Sequence, residues 1–211
     1  MRYVNVSLLA LCLSIYPLLC SAQPDIVRQK VLKTALQYEG LTEVNNLNDG
    51  SIFNYMRAVV DPKLNNYKGL KPATCAFFVN MAFNESGYSL PCVKNKGMAF
   101  AYMDCPDKIL FGRATKNANV QRIKPGMIVV YDFSHVGIIT GVYPTYVTTI
   151  ESNTSTSNTV RNYRFKKGGI YEKIRKYTFI WYITDCAACA VPFDNKKVLE
   201  LKRIYSPFKN Q

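Results

Sequence analysis

Residues 133–154 read FSHVGIITGVYPTYVTTIESNT, and this stretch decides the fold. His135 to Val142 is almost wholly apolar and β-branched, as is Tyr146 to Glu151. Tyr143-Pro144-Thr145 breaks the run between them, so the two segments predict an antiparallel hairpin. A strand alternates its side chains, which sets Val136, Ile138 and Val142 on one face and His135, Gly137 and Ile139 on the other. The returning strand brings Glu151 and Asn153 back beside His135, both on one face by the same period of two. Glycine next to the histidine points to close backbone approach or open space over the strand.

The neighbouring sequence extends the hairpin into a meander. Met127 to Tyr131 and Tyr177 to Thr184 read as further strands, and Ile170 to Arg175 as a weaker one. Upstream the period changes. Pro24 and Asp25 suit a helix start, and Ile26, Val27, Val31, Leu32, Ala35 and Leu36 recur at helical spacing before Gly40. Asp49 can cap a second helix through Ile52, Tyr55, Met56 and Val59, which stops before Asp61-Pro62. Thr74 can cap a third, from Cys75 to about Ser86, with Gly87 as its stop. A short helix is expected near Met98 to Met103. Helices first and an antiparallel meander after predict an α+β fold with segregated layers.

The 211 residues suit one domain with a short appendage, and 48% hydrophobic against 19% charged residues describes a globular chain. There is no internal repeat, Gly-rich phosphate loop or dinucleotide fingerprint, and a single histidine excludes a multi-His metal site. The opening MRYVNVSLLALCLSIYPLLCSAQ has the layout of a signal peptide: Arg2, an apolar run from Val6 to Cys20, then small Ser21 and Ala22. The reading is therefore a leader over 1–22, a catalytic domain over 23–185 and a basic C-terminal extension over 186–211, in a protein exported to the periplasm or beyond. Losing the leader removes one basic residue, leaving 26 basic against 14 acidic and a charge of +12. On an exported protein such charge favours anionic surfaces over nucleic acid.

Five cysteines follow the leader: Cys75, Cys92, Cys105, Cys186 and Cys189. One natural division pairs Cys92 with Cys105 and Cys186 with Cys189, leaving Cys75 alone, although connectivity is not deducible from sequence. Zinc binding and a redox Cys186-Ala-Ala-Cys189 pair are weaker readings than structural disulfides, because the second half of a zinc spacing is missing. An unpaired cysteine in a first helical turn, the sole histidine and a polar group on the adjacent strand together form a nucleophile, a base and an orienter. Cys75, His135, Glu151 and Asn153 are the candidate catalytic residues, with Glu151 or Asn153 orienting the imidazole.

The set resembles the CHAP family, the cysteine, histidine-dependent amidohydrolases/peptidases. The matching pieces are Thr74-Cys75-Ala76-Phe77-Phe78-Val79, Ser134-His135-Val136-Gly137-Ile138-Ile139 and Ile150-Glu151-Ser152-Asn153-Thr154. Leu36 to Glu43, Asn48-Asp49-Gly50 and Tyr55 are similar to the segment many members carry before the cysteine. Members commonly have tryptophan where Thr74 stands, Gly-Asp where Gly126-Met127 stands, and glycine where Ser152 stands.

The resemblance implies a papain-like fold, with N-terminal helices carrying the nucleophile against a sheet carrying His135 and its orienters. It implies cleavage of an amide in peptidoglycan or its stem peptides, with no metal or organic cofactor and no stable membrane insertion after leader removal. A secreted peptidase acting on proteins and an inert, disulfide-stapled binding module are the alternatives. Neither the bond cleaved nor any inhibitor partner is legible.

Overall fold

The structure, a computed structural model, describes residues 23–44, 50–63, 74–111, 120–154 and 168–205. The leader, Asp49 as a cap and most of the 63–71 loop lie outside the described residues. The chain is helical over 23–36 (α1), Ser51–Val60 (α2), Cys75–Glu85 (α3) and Lys196–Tyr205 (α4). Its strands are Tyr88–Ser89 (β1), Ile109–Leu110 (β2), Ile128–Tyr131 (β3), His135–Val142 (β4), Tyr146–Thr154 (β5), Gly169–Lys176 (β6), Ile180–Thr184 (β7) and Val191–Pro192 (β8). This is a mixed α+β fold on an antiparallel sheet.

Six strands form the main sheet in the order β2-β7-β3-β4-β5-β6, and β1 pairs with β8 in a two-stranded ribbon. Alternation divides the buried side chains between two cores. Ile128, Val130, Val136, Ile138, Ile150 and Ile170 face the helices, where Val31, Phe53, Met56, Phe78, Met81 and Phe83 complete the larger core. Val129, Tyr131, Ile139, Val147 and Ile183 face away and join Phe111 and Ile123 in a smaller one. Val142 was expected beside Val136 and Ile138, yet it packs with the smaller core. The register shifts between Ile139 and Gly141, and an extra residue in a strand exchanges its faces.

The third helix begins and ends where its caps predict. Gly87 closes it with a φ of 85°, a conformation glycine adopts without penalty. Thr74 precedes it without a side-chain capping bond, because its hydroxyl is used elsewhere. The short Met98–Met103 helix is a 3-10 helix over Ala99–Asp104.

The cysteine pairing differs from the expected division. The bonds are Cys92–Cys189 and Cys105–Cys186, and Cys75 is the free cysteine. Sequence neighbours do not pair because β1 pairs with β8, which lays the Cys186–Cys189 turn against the 90–105 segment. The Sγ atoms of Cys92, Cys105 and Cys189 lie within 4.8 Å of one another. With each bonded to another sulfur, none offers a thiolate to a metal. Cys186 and Cys189 are not bonded to each other, so the C-x-x-C run is not a redox disulfide here.

The tail is part of this same body. Val198 of α4 is buried in the larger core, and Lys202 donates to Glu85 of α3 while lying 5.1 Å over the Tyr38 ring. The disulfides close loops with sequence separations of 97 and 81 residues, and each stabilises by about 2–4 kcal/mol. Reduction is expected to lower the Tm by about 10 °C or more. A non-reducing peptide map with melting curves in oxidised and reduced buffer checks both statements. A Cys92–Cys105 peptide would contradict this connectivity.

Candidate active site

Cys75 opens α3, so its backbone N–H belongs to the first turn and has no intrahelical partner. Thr74 anchors that turn. It is fully buried, and its hydroxyl and that of Ser152 on β5 hydrogen-bond at 2.8 Å. Tyr102 braces the turn from another side, donating to the Ala76 carbonyl at 2.7 Å. Burial first, and then the charge on nearby Cys75, push the Tyr102 phenol well above its usual range, which keeps it a neutral donor.

His135 opens β4, directly opposite Tyr131 of β3 across the Asp132-Phe133-Ser134 turn. Ser134 takes a φ of 60° there. The Nε2 atom of His135 lies 2.9 Å from Oε2 of Glu151. Cys75 is close enough to the same ring to act on its protonation, and Nε2 is the nitrogen engaged by Glu151. Burial works to lower the imidazole pKa, but hydrogen bonds to Cys75 and Glu151 and the charges on both outweigh it and raise the value to about 9. These contacts favour the protonated ring.

Glu151 has no solvent exposure, and every part of its carboxylate is hydrogen-bonded. Oε1 accepts from Tyr131 at 2.7 Å, Thr149 at 2.6 Å and Nε of Arg175 at 2.8 Å. Oε2 accepts from His135 and from a second Arg175 nitrogen. Burial alone would protonate the group. Hydrogen bonds and charge from Arg175 and His135 overcome it and hold the carboxyl well below its usual range. The Tyr131 ring also stacks against His135 at 5.7 Å and against Phe133 at 5.1 Å. Phe133, itself stacked on His135 at 5.8 Å, is 47% exposed and forms the open edge of the site.

Three of the four residues singled out in the sequence meet here. Asn153 does not. Continuing the Ile138–Ile150 pairing would set Asn153 opposite His135, but β5 loses its regular register between Glu151 and Thr154. Asn153 takes a φ of 60°, and its Oδ1 lies 3.4 Å from where a Cβ on Gly168 would sit. The bulge interrupts the period of two on which the pairing of Glu151 with Asn153 was expected, and Asn153 makes no described hydrogen bond to His135. Among the described hydrogen bonds of His135, Glu151 is the orienter.

Tyr131, Thr149 and Arg175 were not foreseen. The turn length between Tyr131 and His135 and the two-residue step from Thr149 to Glu151 carried a signal for the first two. Arg175 had none, because the β5–β6 register depends on a connection with no hairpin turn signature.

Gly137 is placed by the same geometry. A Cβ there would lie 2.7 Å from Cγ of Glu151 and 3.3 Å from the Ile150 carbonyl. Gly137→Ala is expected to push the carboxylate off His135 at a stability cost of about 1–3 kcal/mol. The ring-nitrogen NMR spectrum of His135 with a denaturation curve tests this, and a wild-type spectrum and stability would show that Glu151 has room to spare.

No known protein family, curated protein or solved structure matches this chain. Among the described residues no helix is long and apolar enough to cross a membrane.

Proposed function

We propose that this protein is an exported thiol hydrolase that cleaves an amide bond of peptidoglycan. The observation that carries the reading is one imidazole held between a free cysteine at a helix start and a buried, ionised glutamate. A thiolate beside an imidazolium is a nucleophile with its proton stored one bond away.

Cys75 Sγ attacks the carbonyl carbon, and the oxyanion that forms is met by the unpaired first-turn N–H of α3. His135 gives its proton to the departing nitrogen as the C–N bond breaks, leaving a thioester on Cys75. A water molecule then loses its proton to His135 and attacks the thioester carbon, releasing a carboxylic acid and restoring the thiolate–imidazolium pair. Glu151 stays ionised throughout, accepting from Nε2 and holding the ring plane.

The choice of polymer is supported by the CHAP resemblance, the leader sequence and the charge of +12 on the remaining chain. Thr74 and Ser152, two positions where this chain departs from the CHAP pattern, hydrogen-bond to each other. The buried hydroxyl pair ties the start of α3 to β5.

The test is mass spectrometry of fragments released from purified peptidoglycan, by protein with and without prior iodoacetamide treatment. Fragments that vanish on alkylation support the reading, and their masses name the bond. Cleavage of unfolded protein but of no peptidoglycan type would make it a protein-directed peptidase. Cleavage of neither would leave a binding module.

A further inference from the structure

We propose that Arg175 is a positioning residue of the thiol site: by clamping Glu151 as a carboxylate, it keeps Nε2 of His135 a donor and Nδ1 the partner of the Cys75 sulfur. The inference rests on the hydrolase reading and adds a component that its nucleophile, base and orienter do not include.

The geometry is specific. Arg175 reaches Glu151 from the edge strand β6 through two nitrogens, one on each carboxylate oxygen. Its guanidinium carbon lies 5.2 Å over the Tyr131 ring, whose hydroxyl donates to the same carboxylate. Two-point contact fixes the plane of the carboxylate as well as its charge, which a single-point cation does not do. The aromatic face holds the guanidinium against rotation. The result is one rigid unit of Arg175, Tyr131, Glu151 and His135.

The protonation logic follows from what the carboxylate offers the ring. An ionised Glu151 can only accept, so Nε2 must carry hydrogen, and Nδ1 is left to take a proton from the sulfur. A protonated Glu151 would donate to Nε2. The neutral ring would then carry its hydrogen on Nδ1, where it can accept nothing from Cys75. Burial favours that second state, and Tyr131 and Thr149 are neutral donors that oppose it only in part. Arg175 supplies the charge that decides the matter.

Counting charge leads to the same place. The groups around Glu151 are Tyr131 on β3, His135 on β4, Thr149 on β5, Arg175 and the buried Lys173 on β6, and Cys75 on α3 beyond the imidazole. A thiolate, imidazolium, carboxylate and guanidinium sum to zero, so forming the reactive pair leaves no net charge in this nearly dry cluster. Without the guanidinium the same pair would leave one buried negative charge. The cluster would recover the balance by taking up one further proton, on Glu151 or on the sulfur. Lys173 is held below its usual range by burial and by Arg175, while Glu151 draws it the other way, so it is a weaker second cation in the same field.

The experiment is the rate of Cys75 alkylation by iodoacetamide from pH 5 to 10. It is read by mass on the purified protein with its disulfides intact, for wild type, Arg175→Met and Arg175→Lys. Arg175→Met is expected to react at least tenfold more slowly than wild type at pH 6, with the gap closing towards pH 10. Arg175→Lys recovers most of the pH 6 rate, because it returns the charge without the fork. A folded Arg175→Met with the wild-type profile overturns the inference while leaving the hydrolase reading intact. A wild-type Cys75 that is slow at pH 6 overturns the hydrolase reading and this inference with it. Should Arg175→Met fail to fold, the imidazole nitrogen spectrum of the wild type decides, since His135 is the sole histidine. Hydrogen on Nε2 at pH 7 supports the clamp, and a neutral ring with hydrogen on Nδ1 overturns it.

Discussion

Cys75→Ala is expected to fold with the wild-type Tm to within a few degrees and, on the proposed thiol mechanism, to release peptidoglycan fragments at least 10⁴-fold more slowly. The two halves of this result have separate causes. Cys75 is buried at the edge of the larger core and is not part of either disulfide, so losing Sγ removes one small buried group and its interaction with His135, and no cross-link. The cost is about 1 kcal/mol, equivalent to a few degrees of Tm. The rate falls because no other group can form the thioester. Thr74, the neighbouring hydroxyl, is buried and committed to Ser152. The measurement is fragment release quantified against a melting curve on the same preparation. Residual activity above about 1% would mean that the covalent route is wrong.

Glu151→Ala has the largest combined effect on rate and stability. Its carboxylate is the shared acceptor for Tyr131, Thr149, His135 and Arg175, so removing it strands four donors, one of them a guanidinium. Breaking a buried charge pair by deleting one partner costs about 3–5 kcal/mol. The reaction loses the group that sets the imidazole tautomer, a loss of about 10⁴-fold in a serine triad.

The pH dependence of the stability gap has a definite sign. Burial pushes the Glu151 carboxyl up, and Arg175 and His135 pull it further down, so the folded value lies below the unfolded one. That contribution is present above the usual carboxylate range and is lost as pH falls through the depressed folded value. His135 runs the other way. Its folded value of about 9 lies above the ordinary 6.5, so its contribution is full below 6.5 and is lost as pH rises through 9. The gap between wild type and Glu151→Ala is therefore widest near pH 6. It narrows by pH 10, where Arg175 is the charged partner that still holds the carboxylate. Denaturant curves at pH 6 and pH 10 measure it directly, and a gap that is larger at pH 10 would contradict the assignment. Hydrolysis by the wild type should also fall on an alkaline limb near pH 9, as His135 loses the proton it must deliver.

The geometry of the site divides into near and far parts. Tyr131, His135 and Phe133 come together through one tight turn, and Thr149 and Glu151 through one two-residue step along β5. Arg175 reaches them only because β6 takes the outer edge beside β5, and Cys75 only because α3 runs across to β4 and β5. A substitution within the turn is expected to change the shape of the open edge at Phe133. A substitution at Arg175 or Thr74 changes the charge or placement of the pair that reacts.

Local pattern by itself determined the helices followed by a meander, the start of α3 at Cys75 and the hairpin from His135 to Thr154. Those features depend on alternation, capping residues and turn chemistry, all of which act over a few residues. Tertiary structure decided the rest. The bulge after Glu151 turned Asn153 away, because one extra residue in a strand outweighs a period of two. Pairing of β1 with β8 chose Cys92–Cys189 and Cys105–Cys186 over the nearer partners. The β5–β6 register brought Arg175 to Glu151, and burial then made that contact decisive. A carboxylate without water takes its charge state from whichever groups the fold places within 3 Å, and no property of Glu151 in the sequence records which groups those are.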